Sequence, residues 1–171
     1  ATFRRDLDAL WNSGRPTKLG WSRRSVDPLT EIVTLPGRRA DGQIDLWPVR
    51  LKADWYPAWP PQVTFVEPDG VNEPAPGSPW LPVFVGPPPM QFGFHQTYSY
   101  TDPVDQTPLT SRQLVCFSHS FDFYISNHVA QPSEQWDPRT HNVAATLNRL
   151  RQLLGAPHYQ GPAAPREAQA A

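Results

Sequence analysis

One cysteine stands in the chain, Cys116, and histidines lie on both sides of it. A thiolate is a strong nucleophile, and a thioester made on it stays reactive toward nitrogen, so a lone cysteine is a candidate for acyl transfer. His119 follows three residues later and reaches the thiol if the chain turns at Ser118-His119-Ser120. A neutral imidazole there can take a proton from an incoming amine or stabilise an oxyanion. His95, Asn127 and His128 are further candidates for that role. Two other chemistries use the same residues. Cys116 and His119 with His95 and His128 would make a zinc set of which only one half shows ligand spacing. Cys116 with His119 or His128 would make a cysteine hydrolase. Against all of these stands an inert buried cysteine flanked by Leu114, Val115 and Phe117, because free cysteine is among the most buried residue types.

Composition narrows the setting. The chain has 171 residues and a formal net charge of −1, which lacks the electrostatic footprint of a dedicated nucleic-acid binder. No stretch approaches 18 consecutive apolar residues, so no membrane span is expected. The opening residues ATFRRD lack the apolar run of a signal peptide. A single cysteine excludes an internal disulfide. A soluble, cytoplasmic chain without a cofactor is expected, with one domain over 1–156 and a disordered tail over 157–171. Proline contributes 22 residues, so the chain cannot be mostly helical. Only Lys18 and Lys52 supply lysine, which leaves few amines that an activated acyl group could reach by accident.

The elements that must position the cysteine follow from periodicity and turn chemistry. Phe3, Leu7, Leu10 and Trp11 share one face of a helix over Thr2 to Asn12. Arg4, Arg5 and Asp8 lie beside that face. Ser25 to Leu35 reads as a strand whose start Pro28 confines to an edge or bulge, and Pro36 to Gly42 as a turn. Ile44 to Ala53 reads as a second strand, with Val49, Leu51 and Ala53 on one side. Trp55 to Pro61 is a stiff aromatic-proline corner, and Gln62 to Val66 a third strand. Pro68 to Pro89 holds eight prolines, with Trp80 to Val85 as its most ordered part. Gln91 to Tyr100 is extended, and Arg112 to Phe117 and Phe121 to Ile125 read as strands. Asp137 before Pro138 opens a final helix lined by Val143, Leu147, Leu150 and Leu154 and capped by Gly155. The expectation is an α+β fold: an antiparallel sheet of about four strands, an N-terminal helix and a helix after the cysteine.

This order, with Tyr56, Pro57, Pro60, Pro61, Val63 and Phe65, resembles the ubiquitin-conjugating enzyme family. The family's tryptophan-x-proline, lying past the cysteine and ahead of a helix, is matched by Trp136, Asp137 and Pro138. Cys116 falls between the two landmarks, and the resemblance covers Phe3 to Leu154. The family's His-Pro-Asn motif is absent, Asp102-Pro103-Val104-Asp105 being at most a faint echo, and the stretches on both sides of Cys116 are longer than in the family. The likeness is to a divergent, bacterial relative. It implies a transferase that accepts a ubiquitin-like protein from an activating enzyme as a thioester on Cys116, with His119 assisting, and passes it to an amine of an acceptor protein. It implies that the first helix contacts the activating enzyme. The aromatic stretch Trp80 to Phe94 would cover the cysteine, present a partner surface or pack on its own domain. The alternative is a non-catalytic module on the same fold. An accessible groove around Cys116 would mark the enzyme and near-complete burial the module.

Overall fold

A computed structural model describes residues 2–101, 104–126 and 128–166. Its first helix, α1 (Thr2–Asn12), buries Phe3 and Leu7 and lays Leu10 and Trp11 against the same core. The charges beside that face are tied down. Arg4 pairs with the buried Glu31, Arg5 with Asp6, and Arg23 with Asp8. A short second helix, α2 (Arg15–Lys18), carries Pro16 near its N-terminus.

Four antiparallel strands follow in the order β1 (Ser22–Asp27), β2 (Thr30–Arg38), β3 (Ile44–Lys52) and β4 (Gln62–Phe65). The single strand expected over Ser25 to Leu35 is therefore a hairpin. Pro28 and Leu29 form its turn, closed by the Asp27 carboxylate accepting the Leu29 N–H at 2.8 Å. Local side-chain capping competes with the ladder here and wins. The expected turn over Pro36 to Gly42 also moves, because Pro36, Gly37 and Arg38 stay in register with Leu46, Asp45 and Ile44. On β3 the alternation holds, with Asp45, Trp47, Val49 and Leu51 buried.

Residues 157–166, expected to be disordered, belong to the folded body. Strand β8 (Tyr159–Pro162) pairs antiparallel with β5 (Pro82–Phe84). Tyr159 is fully buried and donates to Asp45 at 2.5 Å while accepting the Trp47 indole N–H at 2.8 Å. Asp45 also accepts a two-pronged pair of hydrogen bonds from Arg39 Nε and Nη2, at 2.7 and 2.6 Å. Arg166 stacks between Trp47 and Trp80, about 4 Å from each ring. A composition rich in Ala, Pro and Gly conceals one large aromatic that has a polar socket waiting for it.

Gly37 faces this socket. A Cβ there would meet Trp47 Nε1 and Tyr159 Cε1, each at 2.8 Å. Both are rigid, buried rings, so Gly37→Ala should destabilise the protein by about 2 kcal/mol, as overpacking of a filled core does. Urea denaturation checks this; a loss below about 0.5 kcal/mol would mean that the socket relaxes at little cost.

The proline-rich middle is packed rather than loose. Leu81 is fully buried, and Phe84 meets Phe92 and Phe94 edge-on at 4.9 and 5.7 Å. It leads into a hairpin of β6 (Phe92–Thr101) and β7 (Pro108–Phe117). The Gln113 amide exchanges two hydrogen bonds with the Phe65 backbone, at 2.7 and 2.8 Å, and so clamps β7 beside β4. Val115 and Phe117 join the main core, whereas Leu114 and Cys116 face a second cluster with Tyr100 and Phe123.

Phe121–Ile125, expected as a strand, is the short helix α3. Its Asp122 is fully buried against Arg112 and Gln62. This tertiary pairing overrides the alternating Phe-Asp-Phe pattern. The last helix, α4 (Val143–Leu153), is capped by Asn142, whose side chain accepts the Ala144 N–H at 3.0 Å. Asp137 instead closes a separate turn, taking the Arg139 N–H on its carboxylate and the His141 N–H on its carbonyl. The proline corner touches both α1 and the start of α4. Tyr56 donates to Asp6 at 2.6 Å and accepts the Val143 N–H at 3.1 Å, and the Trp136 indole donates to the Pro57 carbonyl at 2.9 Å. No helix among the described residues is long and apolar enough to cross a membrane.

Candidate functional site

Cys116 sits one residue from the end of β7, where strand alternation turns its side chain away from the main core. Its cross-strand partner is Gly93, so no side chain of β6 stands directly opposite the thiol. The cover comes from the chain after α3. Ser126 Oγ lies 3.7 Å from Sγ, and His128 Nδ1 lies 3.4 Å from Sγ and 2.9 Å from Ser126 Oγ. The Ser126 hydroxyl also donates to the Asp122 carbonyl at 2.6 Å, a back-bond common for serine at the end of a helix. The Phe123 ring flanks His128 at 5.3 Å.

Cys116 is only 2% exposed, so the open groove expected around a loading cysteine is not present in this conformation. His128, in contrast, is exposed. Burial pushes the Cys116 thiol up to about 11; the Asp122 carboxylate pushes the same way, and the Ser126 hydroxyl pulls against both. The thiol is thus protonated at neutral pH, although an imidazole nitrogen is in contact with it.

His119 is not part of this cluster. The polar partners of Sγ among the described residues are Ser126 and His128. After Phe117 the chain reverses through the Ser120 N–H to Phe117 carbonyl bond at 2.8 Å. That reversal delivers His119 to the α4 side. There its ring lies 4.6 Å from His141 and 5.7 Å from Trp136, its Nδ1 meets Ser118 Oγ at 3.1 Å, and its carbonyl accepts Thr146 Oγ1 at 2.8 Å. Burial lowers its pKa to about 4, helped by the positive charges of His141 and Arg149. His95 is exposed on β6, across from Leu114, with its ring near Tyr98. Asn127, Asp102 and Pro103 lie outside the described residues. Among the described residues no three His, Cys, Asp or Glu side chains converge as metal ligands would. Ser126 was not evident from the sequence. The signal for it is its place four residues after Asp122, which is informative only once that stretch is known to be helical.

The fold and site define an α+β chain with a four-stranded antiparallel sheet and a shielded Cys–Ser–His cluster at the edge of a separate hairpin. No family model, curated protein or solved structure matches the chain.

Proposed function

We propose that the chain is a divergent member of the ubiquitin-conjugating enzymes, a transferase that carries a ubiquitin-like protein on Cys116. The observation that carries this reading is the contact of Cys116 Sγ with His128 Nδ1 at 3.4 Å, with His128 itself facing solvent. His128 is thus a solvent-facing side chain in direct contact with the thiol, beside the buried Ser126. Supporting it are the four-stranded meander between α1 and α4 and the contact of the Tyr56-Pro57 corner with Trp136. His128, rather than His119, takes the assisting role.

The reaction is a thiol exchange followed by aminolysis. Cys116 Sγ attacks the thioester carbonyl carbon on the activating enzyme, and its proton passes through the His128 imidazole to the departing thiolate. A new C–S bond forms as the old one breaks. An amine of the acceptor protein then attacks the same carbon. A C–N bond forms, the C–S bond breaks, and the amine's proton returns to the Cys116 sulfur. Loading needs the His128 side of the thiol to open.

A second reading is favoured by the burial of Cys116: a non-catalytic module in which the thiol is a small apolar filler. Incubation with ATP, a ubiquitin-like protein and its cognate activating enzyme, followed by a non-reducing gel, separates the two. The enzyme gives a reducible adduct, a more stable oxyester in Cys116→Ser, and none in Cys116→Ala. An adduct that persists in Cys116→Ala overturns the assignment. Absence of any adduct on a folded chain selects the module.

A further inference from the structure

A second site lies away from the cysteine cluster, between α2, the end of β2, the start of β3 and the end of α4. It is a cavity of about 390 Å³ lined by Lys18, Arg38 and Arg151, with Leu19, Trp21 and Ile44 among its apolar walls. That volume lies in the range of small-molecule pockets. Its charge is what distinguishes it. The chain has fifteen lysines and arginines. Twelve of them hold an acid, an amide or a backbone carbonyl. Among the described residues the three without such a partner are Lys18, Arg38 and Arg151, and all three line this cavity. Among the described residues no acid lines it. Trp21, one of the walls, is 5% exposed, and its indole Nε1 is buried with no hydrogen-bond partner among the described residues. A buried donor without a partner is costly, so an acceptor that reached it would be favoured.

Lys18 and Arg151 stand in the last turns of their helices, where cations offset the helix dipole. Each helix end carries only about half an elementary charge, so most of the positive charge of the three side chains is left over. A monoanion would leave two cations unmatched, whereas a phosphate dianion or a diphosphate matches them, and the guanidinium fork fits phosphate oxygens in pairs. We propose that this cavity binds a small molecule through a phosphate or diphosphate group held by Lys18, Arg38 and Arg151, with its remaining part against Leu19, Trp21 and Ile44.

Calorimetric titration and thermal melting at constant ionic strength test this, with inorganic diphosphate and ADP as probes and chloride as the screening control. The expected result is saturable binding with a raised melting midpoint, and tighter binding of ADP than of diphosphate. The double substitution Arg38→Gln, Arg151→Gln should weaken binding by at least about tenfold, the scale of lost charge-assisted hydrogen bonds. Lys18→Gln, on a different element, should weaken it in the same direction. Arg5→Gln, which alters an exposed ion pair on α1, should leave it unchanged. Circular dichroism shows whether each variant is folded. Equal binding by the folded double variant, an equal shift with chloride, or no saturation up to millimolar probe overturns the proposal. Retention of an acidic peptide without any phosphate binding overturns it as well and reassigns the cavity to a protein partner.

Discussion

Iodoacetamide should alkylate Cys116 at pH 7 at least about 300-fold more slowly than an ordinary exposed cysteine, with a rate that climbs about tenfold per pH unit toward pH 11. The attacking species is the thiolate. With the thiol pushed up to about 11 by burial, roughly one molecule in 10⁴ is ionised at pH 7, against a few per cent for a thiol near 8.5. Restricted access to a residue 2% exposed slows the reaction further. Mass spectrometry after timed alkylation measures the rate directly, since the chain has one cysteine. His128→Ala then separates two roles of one ring. In the resting protein the imidazole is a cover, and removing it lets water reach Sγ, so alkylation accelerates. During acyl transfer the imidazole carries the proton, so thioester loading slows. Opposite signs for two reactions of the same thiol are the signature of the proposed site. If both accelerate, His128 is only a cover; if both slow, it activates the thiol at rest and the burial argument fails.

The elements with strong periodic or steric rules were legible in the sequence. Helix α1 shows Phe3, Leu7, Leu10 and Trp11 on one face, and β3 alternates through Trp47, Val49 and Leu51, so local pattern and tertiary burial agree. Two of the misreadings share a cause: a long-range partner outweighed the local pattern. Asp122 turns Phe-Asp-Phe-Tyr-Ile into a helix because Arg112 and Gln62 wait for its carboxylate. Tyr159 anchors a stretch that reads as tail because Asp45 and Trp47 form its socket. At the cluster, closeness in sequence pointed to His119, three residues from Cys116. The reversal after Phe117 and the helix behind it bring His128, twelve residues on, to the thiol instead. Identity of the nucleophile was readable because there is one cysteine; identity of its partner depended on the mistaken strand.

Acid should loosen the protein through His119. Its folded-state pKa is depressed to about 4, first by burial and then by repulsion from His141 and Arg149, while the unfolded chain's histidine titrates near 6.5. Between those values the unfolded state binds a proton that the folded state does not, so protons favour unfolding. The contribution is fully present above pH 6.5, declines as the pH falls, and is gone below about pH 4. A difference of about 2.5 in pKa corresponds to about 3 kcal/mol, a large share of a typical domain's stability. Carboxylates titrate in part of this window, so the expected result is a difference between two proteins. His119→Gln keeps a polar group near Ser118 but cannot take the proton, and its urea midpoint should fall less between pH 7 and pH 4 than that of the wild type. Parallel curves for the two proteins would show that His119 titrates normally and that its burial is not maintained. The consequence reaches the thiol through the backbone. The His119 carbonyl is fixed by Thr146 of α4 and its ring packs on Trp136, and this joint lies directly after the strand that carries Cys116. Weakening the joint at pH 5 therefore frees the end of β7 before it affects the sheet of β1 to β4. Hydrogen exchange at Val115, Cys116 and Phe117 should accelerate on acidification while Val33 and Val49 stay protected.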